Sequence, residues 1–313
     1  MSATPSRSGG LPPSRAARVG SSGAPGPGGA GGQVAEAPAK LTLSLAVTGT
    51  SPDGLHTLEA EMVALTFADE LTFGAGDGLE VAEETGEHDL ERRAPATEGR
   101  VPLGGDNLVR RALDAVGRKA MVRLVKRIPV GAGLGGGSSD AAAVLRWAGA
   151  VPADPSDAQD PAVRLALALG SDVPFCVVGG RALVTGRGEV VQPLPFRQAH
   201  FLLVTPPLVS STAAVYAAWD ALGGPRGTDG NDLEQAALAV TPRLAEWRDA
   251  FAERCGARPR LAGSGSTWFA EVRVDAQEAT RAPLEVGGQN APVRLASARP
   301  AFTYPLDAAS VWP

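Results

Sequence analysis

The sequence predicts an α+β protein of two domains, and three observations predict it. At 313 residues the chain is long for a single core. Apolar alternation of period two and helical periodicity follow one another without the regular strand–helix repeat of a parallel α/β sheet. A glycine-dense loop lies between a strand pattern and a helix pattern in the first half. The composition, 44% hydrophobic and 20% charged, suits ordinary cores. A net charge of −5 argues against a nucleic-acid or membrane-surface binder, which would carry a basic excess. No apolar run approaches the ~18 residues that span a bilayer. An anionic small molecule stays compatible, because backbone amides can supply local positive potential. Cys176 and Cys255 stand far apart without metal-ligand neighbours and read as small apolar residues of a reducing, cytoplasmic compartment.

Residues 1–33 form a Ser/Gly/Pro/Ala tail too poor in apolar residues to fold, so a disordered extension is expected, although the composition overlaps that of an organellar targeting segment. Order is expected from Val34. Leu41, Leu43, Leu45 and Val47 alternate with Thr42, Ser44, Ala46 and Thr48 as a half-buried strand. SPDG at 51–54 is a turn, and Glu61 to Leu71 resumes a strand. Residues 74–105 read as a peripheral hairpin and loops. Asp106 is placed to cap a helix carrying Val109, Leu113 and Val116. Met121 to Val130 reads as a strand, and the loop at 131–137 leads to a helix capped by Ser138 or Ser139 that runs to Trp147. Asp160-Pro161 opens a helix ending at Gly170. Strands are expected at 175–178, 181–185, 200–204 and 267–274. Helices are expected at 212–222, 232–239 and 242–255, the last with Pro242 at its first position. The domains are set at 34–195 and 196–313.

The stretch RIPVGAGLGGGSSDAAA, 127–143, carries most of the chemistry. Five of the seven residues at 131–137 are glycine. Their missing Cβ atoms expose backbone N–H groups, and the following helix start adds positive potential, which suits phosphate oxygens. A Walker loop would need Gly-Lys-Ser/Thr after the glycines, and none follows. Gly131, Gly133 and Gly136 match a dinucleotide-binding spacing but come about a hundred residues too late, without an acid at the next strand end. The other motifs of protein kinases are missing.

Three further stretches occur with this one in a fixed order: PAKLTLSLAVTGTSPDGLH at 38–56, GSDVPF at 170–175 and LAGSGSTWFAEV at 261–272. Together they resemble the signature motifs of the GHMP kinases, over essentially everything after residue 34. The resemblance implies a ribosomal protein S5 domain 2-like N-terminal domain that binds ATP and a ferredoxin-like C-terminal domain. It implies ATP and Mg²⁺ as cofactors. The PAK opening, the DG-x-H turn and the GLGGGSSDAA form of the loop point within the family to a small cytidyl diphosphate substrate of isoprenoid precursor synthesis, phosphorylated on a tertiary 2-hydroxyl. A monomer or weak homodimer is expected.

The resemblance also implies site roles. Asp172 corresponds to the catalytic base, and Lys40 to the lysine beside it that stabilises the developing alkoxide. Pro129, Gly131, Gly133, Leu134, Gly135, Gly136, Gly137, Ser138 and Ser139 would wrap the ATP phosphates, with Ser138 or Ser139 near Mg²⁺; the resemblance supplies no carboxylate ligand for the metal. His56 corresponds to the cytosine-reading histidine. Thr212, Tyr216, Gly263, Ser264 and Gly265 would contact substrate. The family's aromatic before the histidine is Leu55 here, its asparagine after the lysine is Thr42, and Asp140 stands where members carry Asp or Asn. Two other readings stay open: a GHMP kinase for another alcohol (a sugar, homoserine or mevalonate), and a nucleotide-binding homologue without activity.

Overall fold

The computed structural model describes residues 32–83, 104–273 and 276–304, all within one compact unit that begins at Gly32. The tail up to residue 31 and the loops expected at 84–103 lie outside the described residues. The first sheet is built from β1 (Gln33–Thr50), β2 (His56–Gly74), β3 (Gly78–Glu83), β4 (Met121–Lys126), β5 (Arg181–Gly186) and β6 (Val190–Leu194). β1 and β2 pair antiparallel along nearly their whole length, from Gln33↔Phe73 to Thr50↔His56. The other edge of β2 is shared, His-proximal residues 58–63 pairing with β5 and residues 70–74 with β4. β3, in the stretch where the sequence predicts a peripheral hairpin and loops, runs parallel to β4 at the sheet edge. The helices are α1 (Leu108–Ala115), α2 (Gly136–Ala148), α3 (Pro161–Leu169) and α4 (Val173–Val178).

The second sheet has the order β12-β7-β9-β8, all antiparallel, from β7 (His200–Val204), β8 (Arg260–Leu261), β9 (Trp268–Val272) and β12 (Val293–Ser297). A hairpin, β10 (Leu284–Val286) and β11 (Gln289–Ala291), precedes β12. Helices α5 (Thr212–Ala221), α6 (Glu234–Val240) and α7 (Leu244–Cys255) lie between β7 and β8. The change of sheet falls between Leu194 and His200.

Several expectations need correction. Residues 175–178 belong to helix α4, not a strand: Pro174 sits in its first turn and every residue from Val173 to Val178 is buried, so no polar face revealed the period. Asn107, not Asp106, caps α1, its Oδ1 accepting the Val109 N–H at 2.8 Å. Neither Ser138 nor Ser139 caps α2. Gly135 takes the left-handed conformation (φ 67°) at the N-cap position, so the helix starts at Gly136, ahead of both serines, with no side-chain cap. Ser139 instead donates its hydroxyl to the Pro38 carbonyl at 2.6 Å. Pro242 precedes α7, whose first residue is Leu244.

β1 is more than half-buried. From Ala37 to Leu43 both of its faces are covered, Lys40 and Thr42 included. A bulge at Leu43, between the pairs Thr42↔Met62 and Ser44↔Glu61, divides the predicted apolar row. Leu41 and Leu43 pack with Ile128, Leu134, Phe201 and Phe269, whereas Leu45 and Val47 join the larger cluster around α2, Phe175 and Trp247. Asp160 caps α3 as expected, accepting the Ala162 N–H at 2.8 Å.

A buried charge cluster ends β4. Lys126 Nζ donates to Asp69 and, at 2.8 Å, to Asp140 Oδ2. Asp69 Oδ1 accepts the N–H groups of Arg127 (2.5 Å) and Ile128 (2.8 Å), so the strand stops there and turns into the glycine loop. Two carboxylates face one ammonium out of water, and the second oxygen of Asp140 has no hydrogen-bond partner among the described residues. Burial pushes the Asp140 carboxyl up to about 7; Lys126 pulls it down and Asp69 adds to the rise. For Lys126, burial pulls the ammonium down but the two carboxylates hold it above its usual range.

Two predictions follow from this packing. A carboxyl whose folded pKa lies above its unfolded one binds its proton preferentially in the fold, so its contribution is present below about pH 4 and is lost as pH rises towards 7. The stability of Asp140→Asn relative to wild type is therefore expected to increase from about pH 4 to 7, by at most a few kcal/mol, in urea titrations. A pH-independent difference would refute a neutral Asp140. Separately, a Cβ on Gly133 (φ 76°) would lie 2.6 Å from the Gly265 carbonyl oxygen and 2.7 Å from that of Ala262, whereas one on Gly131 (φ 73°) meets nothing within 4 Å. Gly131→Ala should cost the roughly 1–2 kcal/mol of a left-handed side chain, and Gly133→Ala distinctly more. Equal losses in thermal melts would contradict the close approach of the two loops.

Candidate active site

The strand that carries Lys40 is pulled off its partner. The register jumps from Pro38↔Ala68 to Lys40↔Ala64, and the Lys40 N–H donates to the Leu134 carbonyl of the glycine loop at 2.9 Å. With Ser139 holding the Pro38 carbonyl, two bonds join β1 to the loop and to the start of α2. Gly135 lies directly on the Lys40 stem, where a Cβ would come within 2.6 Å of Cγ. The buried ammonium reaches Thr42 Oγ1 at 3.1 Å and Asp172 Oδ2 at 3.3 Å. Asp172 precedes α4 and makes no side-chain cap, which leaves its carboxylate turned towards Lys40 and about one-third exposed.

Beside this pair is a cavity of about 350 Å³ lined by the glycine loop, with Asn107, Pro129, Ser138, Lys126 and Asp140 among its walls. Gly131, Gly133, Gly135, Gly136 and Gly137 all border it. Two of the expected phosphate contacts are placed differently. The Leu134 side chain is buried in the core with Leu41 and Leu43 of β1, and its carbonyl is taken by the Lys40 N–H. Ser139 is fully buried and committed to Pro38. Ser138 stays at the cavity, and a Cβ on Gly170 would sit 3.9 Å from its hydroxyl, which brings it beside the segment that carries Asp172.

The GSGS loop closes the other side. Gly263 (φ 60°) lies by Lys40 and Thr42, a Cβ there being 3.8 Å from each of their polar tips. The Thr267 N–H donates to the Ala132 carbonyl at 3.2 Å, tying this loop to the glycine loop. Ser264 is held by Thr212, hydroxyl to hydroxyl at 2.9 Å, and by Ser210, which donates to its carbonyl at 2.8 Å. Asn231 fixes the loop from below, its amide donating to the Leu261 and Gly263 carbonyls at 2.9 and 2.8 Å.

His56 begins β2 at the end of the SPDG turn, which is closed by Ser51 N–H to the Leu55 carbonyl at 2.7 Å. Its imidazole stacks on Tyr216 (centroids 4.8 Å, planes 24° apart) and meets Trp219 edge-on at 5.6 Å. Burial, reinforced by the nearby Asp172 carboxylate, pushes the Tyr216 phenol up to about 12, so it stays protonated. Lys40 thus pairs with Asp172, Tyr216 feels that carboxylate and stacks on His56, and Leu55, next to His56 in the chain, stands exposed.

Asn231, Trp219, Asp220 and Asp69 are absent from the expected site. Asn231 follows a TDG turn, a sequence cue for a backbone-binding side chain. The other three had no local signal, since each matters through a partner more than fifty residues away.

Residues 107–180 match the family model of the GHMP kinases N-terminal domain. The 4-diphosphocytidyl-2-C-methyl-D-erythritol kinase of Paracoccus denitrificans (strain Pd 1222) is 35% identical, over 81% of this chain and 92% of its own length. The same kinase of Paraburkholderia phytofirmans (strain DSM 17436 / LMG 22146 / PsJN) is 34% identical over 86% of this chain and 95% of its own. Among solved structures, a 4-(cytidine 5'-diphospho)-2C-methyl-D-erythritol kinase superposes with a TM-score of 0.59 at 28% identity, covering 85% of this chain and 98% of that one. The Methanococcus jannaschii mevalonate kinase, at 12% identity and a TM-score of 0.53 over 86% of this chain and 98% of its own, shares the fold. The fold is the two-domain α+β GHMP kinase fold, and the chain belongs to the 4-diphosphocytidyl-2-C-methyl-D-erythritol kinases of the GHMP kinase family.

Proposed function

We propose that the protein transfers the γ-phosphoryl group of ATP to the 2-hydroxyl of 4-diphosphocytidyl-2-C-methyl-D-erythritol, a step of the non-mevalonate (methylerythritol phosphate) route to isoprenoid precursors. The observation that carries this reading is the approach of Lys40 Nζ to Asp172 Oδ2 at 3.3 Å beside a glycine-lined cavity. Phosphoryl transfer is largely a matter of positioning and charge stabilisation. An alcohol lying within reach of both groups can pass its proton to Asp172 as its oxygen bonds to the γ-phosphorus. The bond from that phosphorus to the bridging oxygen breaks, and ADP leaves with its electron pair. The Lys40 ammonium, buried and tied to Thr42, offsets the negative charge that develops on the attacking oxygen.

The glycine loop and the first turn of α2, which has no side-chain cap, offer N–H groups to the phosphates. Mg²⁺ keeps several waters and is bound by phosphate oxygens and few protein groups, usually one or two carboxylates; at the cavity wall the hydroxyl of Ser138 is a fitting further ligand. Ser138 would hold it, and Ser139 would not, being buried on Pro38. When bound, the ion neutralises charge on the β- and γ-phosphates. His56, stacked on Tyr216, would read the cytosine, and Thr212 with the Gly263–Gly265 loop would close over the acceptor. In this reading residues 34–195 form the ATP-binding domain and 196–313 the second domain of a cytoplasmic enzyme, a monomer or weak homodimer. Among the described residues no helix is long and apolar enough to cross a membrane.

A coupled ADP-release assay tests the reading. ADP is expected with the cytidyl alcohol and not with mevalonate, homoserine or a sugar; turnover on one of those alone, or on none, would reject it. Loss of a general base costs about 10²–10⁴ in rate. Asp172→Asn should therefore lower kcat at least about a hundredfold while ATP affinity, read by equilibrium binding, stays near wild type. Near-wild-type turnover would remove Asp172 from the base role.

A further inference from the structure

The imidazole of His56 is held on three sides by one helix. Tyr216, Trp219 and Asp220 occupy successive positions of a single face of α5, spaced i, i+3 and i+4. Tyr216 covers one ring face and Trp219 presents its edge, while the Trp219 indole N–H is anchored on the Pro225 carbonyl at 3.0 Å. Asp220 Oδ1 lies 2.9 Å from His56 Nε2. Nδ1 has no hydrogen-bond partner among the described residues, so it is the polar atom left to meet a ligand.

We propose that Asp220 is a positioning residue that sets the tautomer of His56 and thereby selects an amino-bearing pyrimidine over its keto counterpart. The proposal rests on the reading that His56 meets the base of the substrate. A carboxylate only accepts hydrogen bonds, so the nitrogen facing it carries the proton, and a ring with that one proton presents a lone pair at Nδ1. A lone pair can accept from the exocyclic amino group of cytosine. It repels the carbonyl oxygen that uracil carries at the same position. Without Asp220 the ring is free to move its proton to Nδ1, where it donates to that carbonyl, and the discrimination falls. The side chain of Asp220 is more than half exposed, near the end of α5, so Asp220→Ala places the best helix former at a surface position.

Two measurements test this. Nitrogen-15 NMR of the imidazoles at about pH 8, where free imidazole is neutral, reads the tautomer directly and needs no substrate. The chain has three histidines, which makes assignment of His56 by substitution direct. Wild type is expected to show the proton on Nε2, and Asp220→Ala a mixture. The second measurement is the ratio of kcat/KM for the cytidyl alcohol to that for its uridyl counterpart. A single well-placed base contact discriminates by roughly ten- to a hundredfold. Wild type should show a ratio of that order, and Asp220→Ala a ratio within a few-fold of unity, mainly through KM; Asp220→Glu should restore part of it. A wild-type proton on Nδ1, or an unchanged ratio in Asp220→Ala, would overturn the proposal. Absence of turnover with both alcohols in wild type would instead reject the substrate assignment, and the NMR result would still decide the role of Asp220.

Discussion

Backbone crowding around Lys40 is the constraint on which the rest of the site depends. The β1 segment at Pro38–Lys40, the glycine loop and the GSGS loop meet at distances that admit no side-chain carbon: Gly135 rests on the Lys40 stem, and Gly133 rests on the carbonyls of Ala262 and Gly265. Where glycines replace larger residues, main-chain groups of different segments come close enough to bond, as Lys40 N–H to Leu134 and Thr267 N–H to Ala132 do. The same crowding packs the Lys40 stem, and its buried ammonium reaches Thr42 and Asp172. A long flexible side chain is thereby held in one rotameric path before any ligand arrives, and the entropy of ordering it is met during folding.

The charges around the cavity are arranged under the same pressure. All three lysines of the chain are ion-paired, Lys119 on the surface with Asp77, Lys40 and Lys126 in the interior. An exposed pair such as Lys119–Asp77 is screened by water and adds little, whereas stripping a buried charge of its partner costs about 3–5 kcal/mol. Lys126 therefore binds Asp69 and Asp140 into one unit that ends β4, starts the glycine loop and anchors the first turn of α2 together. Protonation of Asp140, whose carboxyl burial pushes up to about 7, would relieve the excess negative charge of that unit.

Much of this was legible along the chain. The glycine density at 131–137, the Asp160-Pro161 helix start, the turn before His56 and the strands through Lys40 and Arg181 are local properties of neighbouring residues, and they stand where the sequence places them. The misreadings have separate causes. Val173–Val178 is buried on all sides and so has no polar face from which to tell a helix from a strand. β3, β6 and the last strands are short and of mixed polarity, and each exists because a neighbouring edge was available to pair with. The cap of α2 went to Gly135 because a left-handed glycine could start the helix earlier and free Ser139 for Pro38.

The sequence by itself determined the chemistry: which residues could carry a phosphate, an ammonium and a carboxylate, and in what order, because side-chain identity and glycine placement are written locally. Only the tertiary structure decided that Ser138 rather than Ser139 faces the cavity and that Asp220 holds His56, and it brings Lys40 to 3.3 Å from Asp172. Those outcomes depend on register shifts in β1, on close loop contacts and on the rotational setting of α5. Each is fixed by packing between distant segments, and no spacing along the chain encodes it.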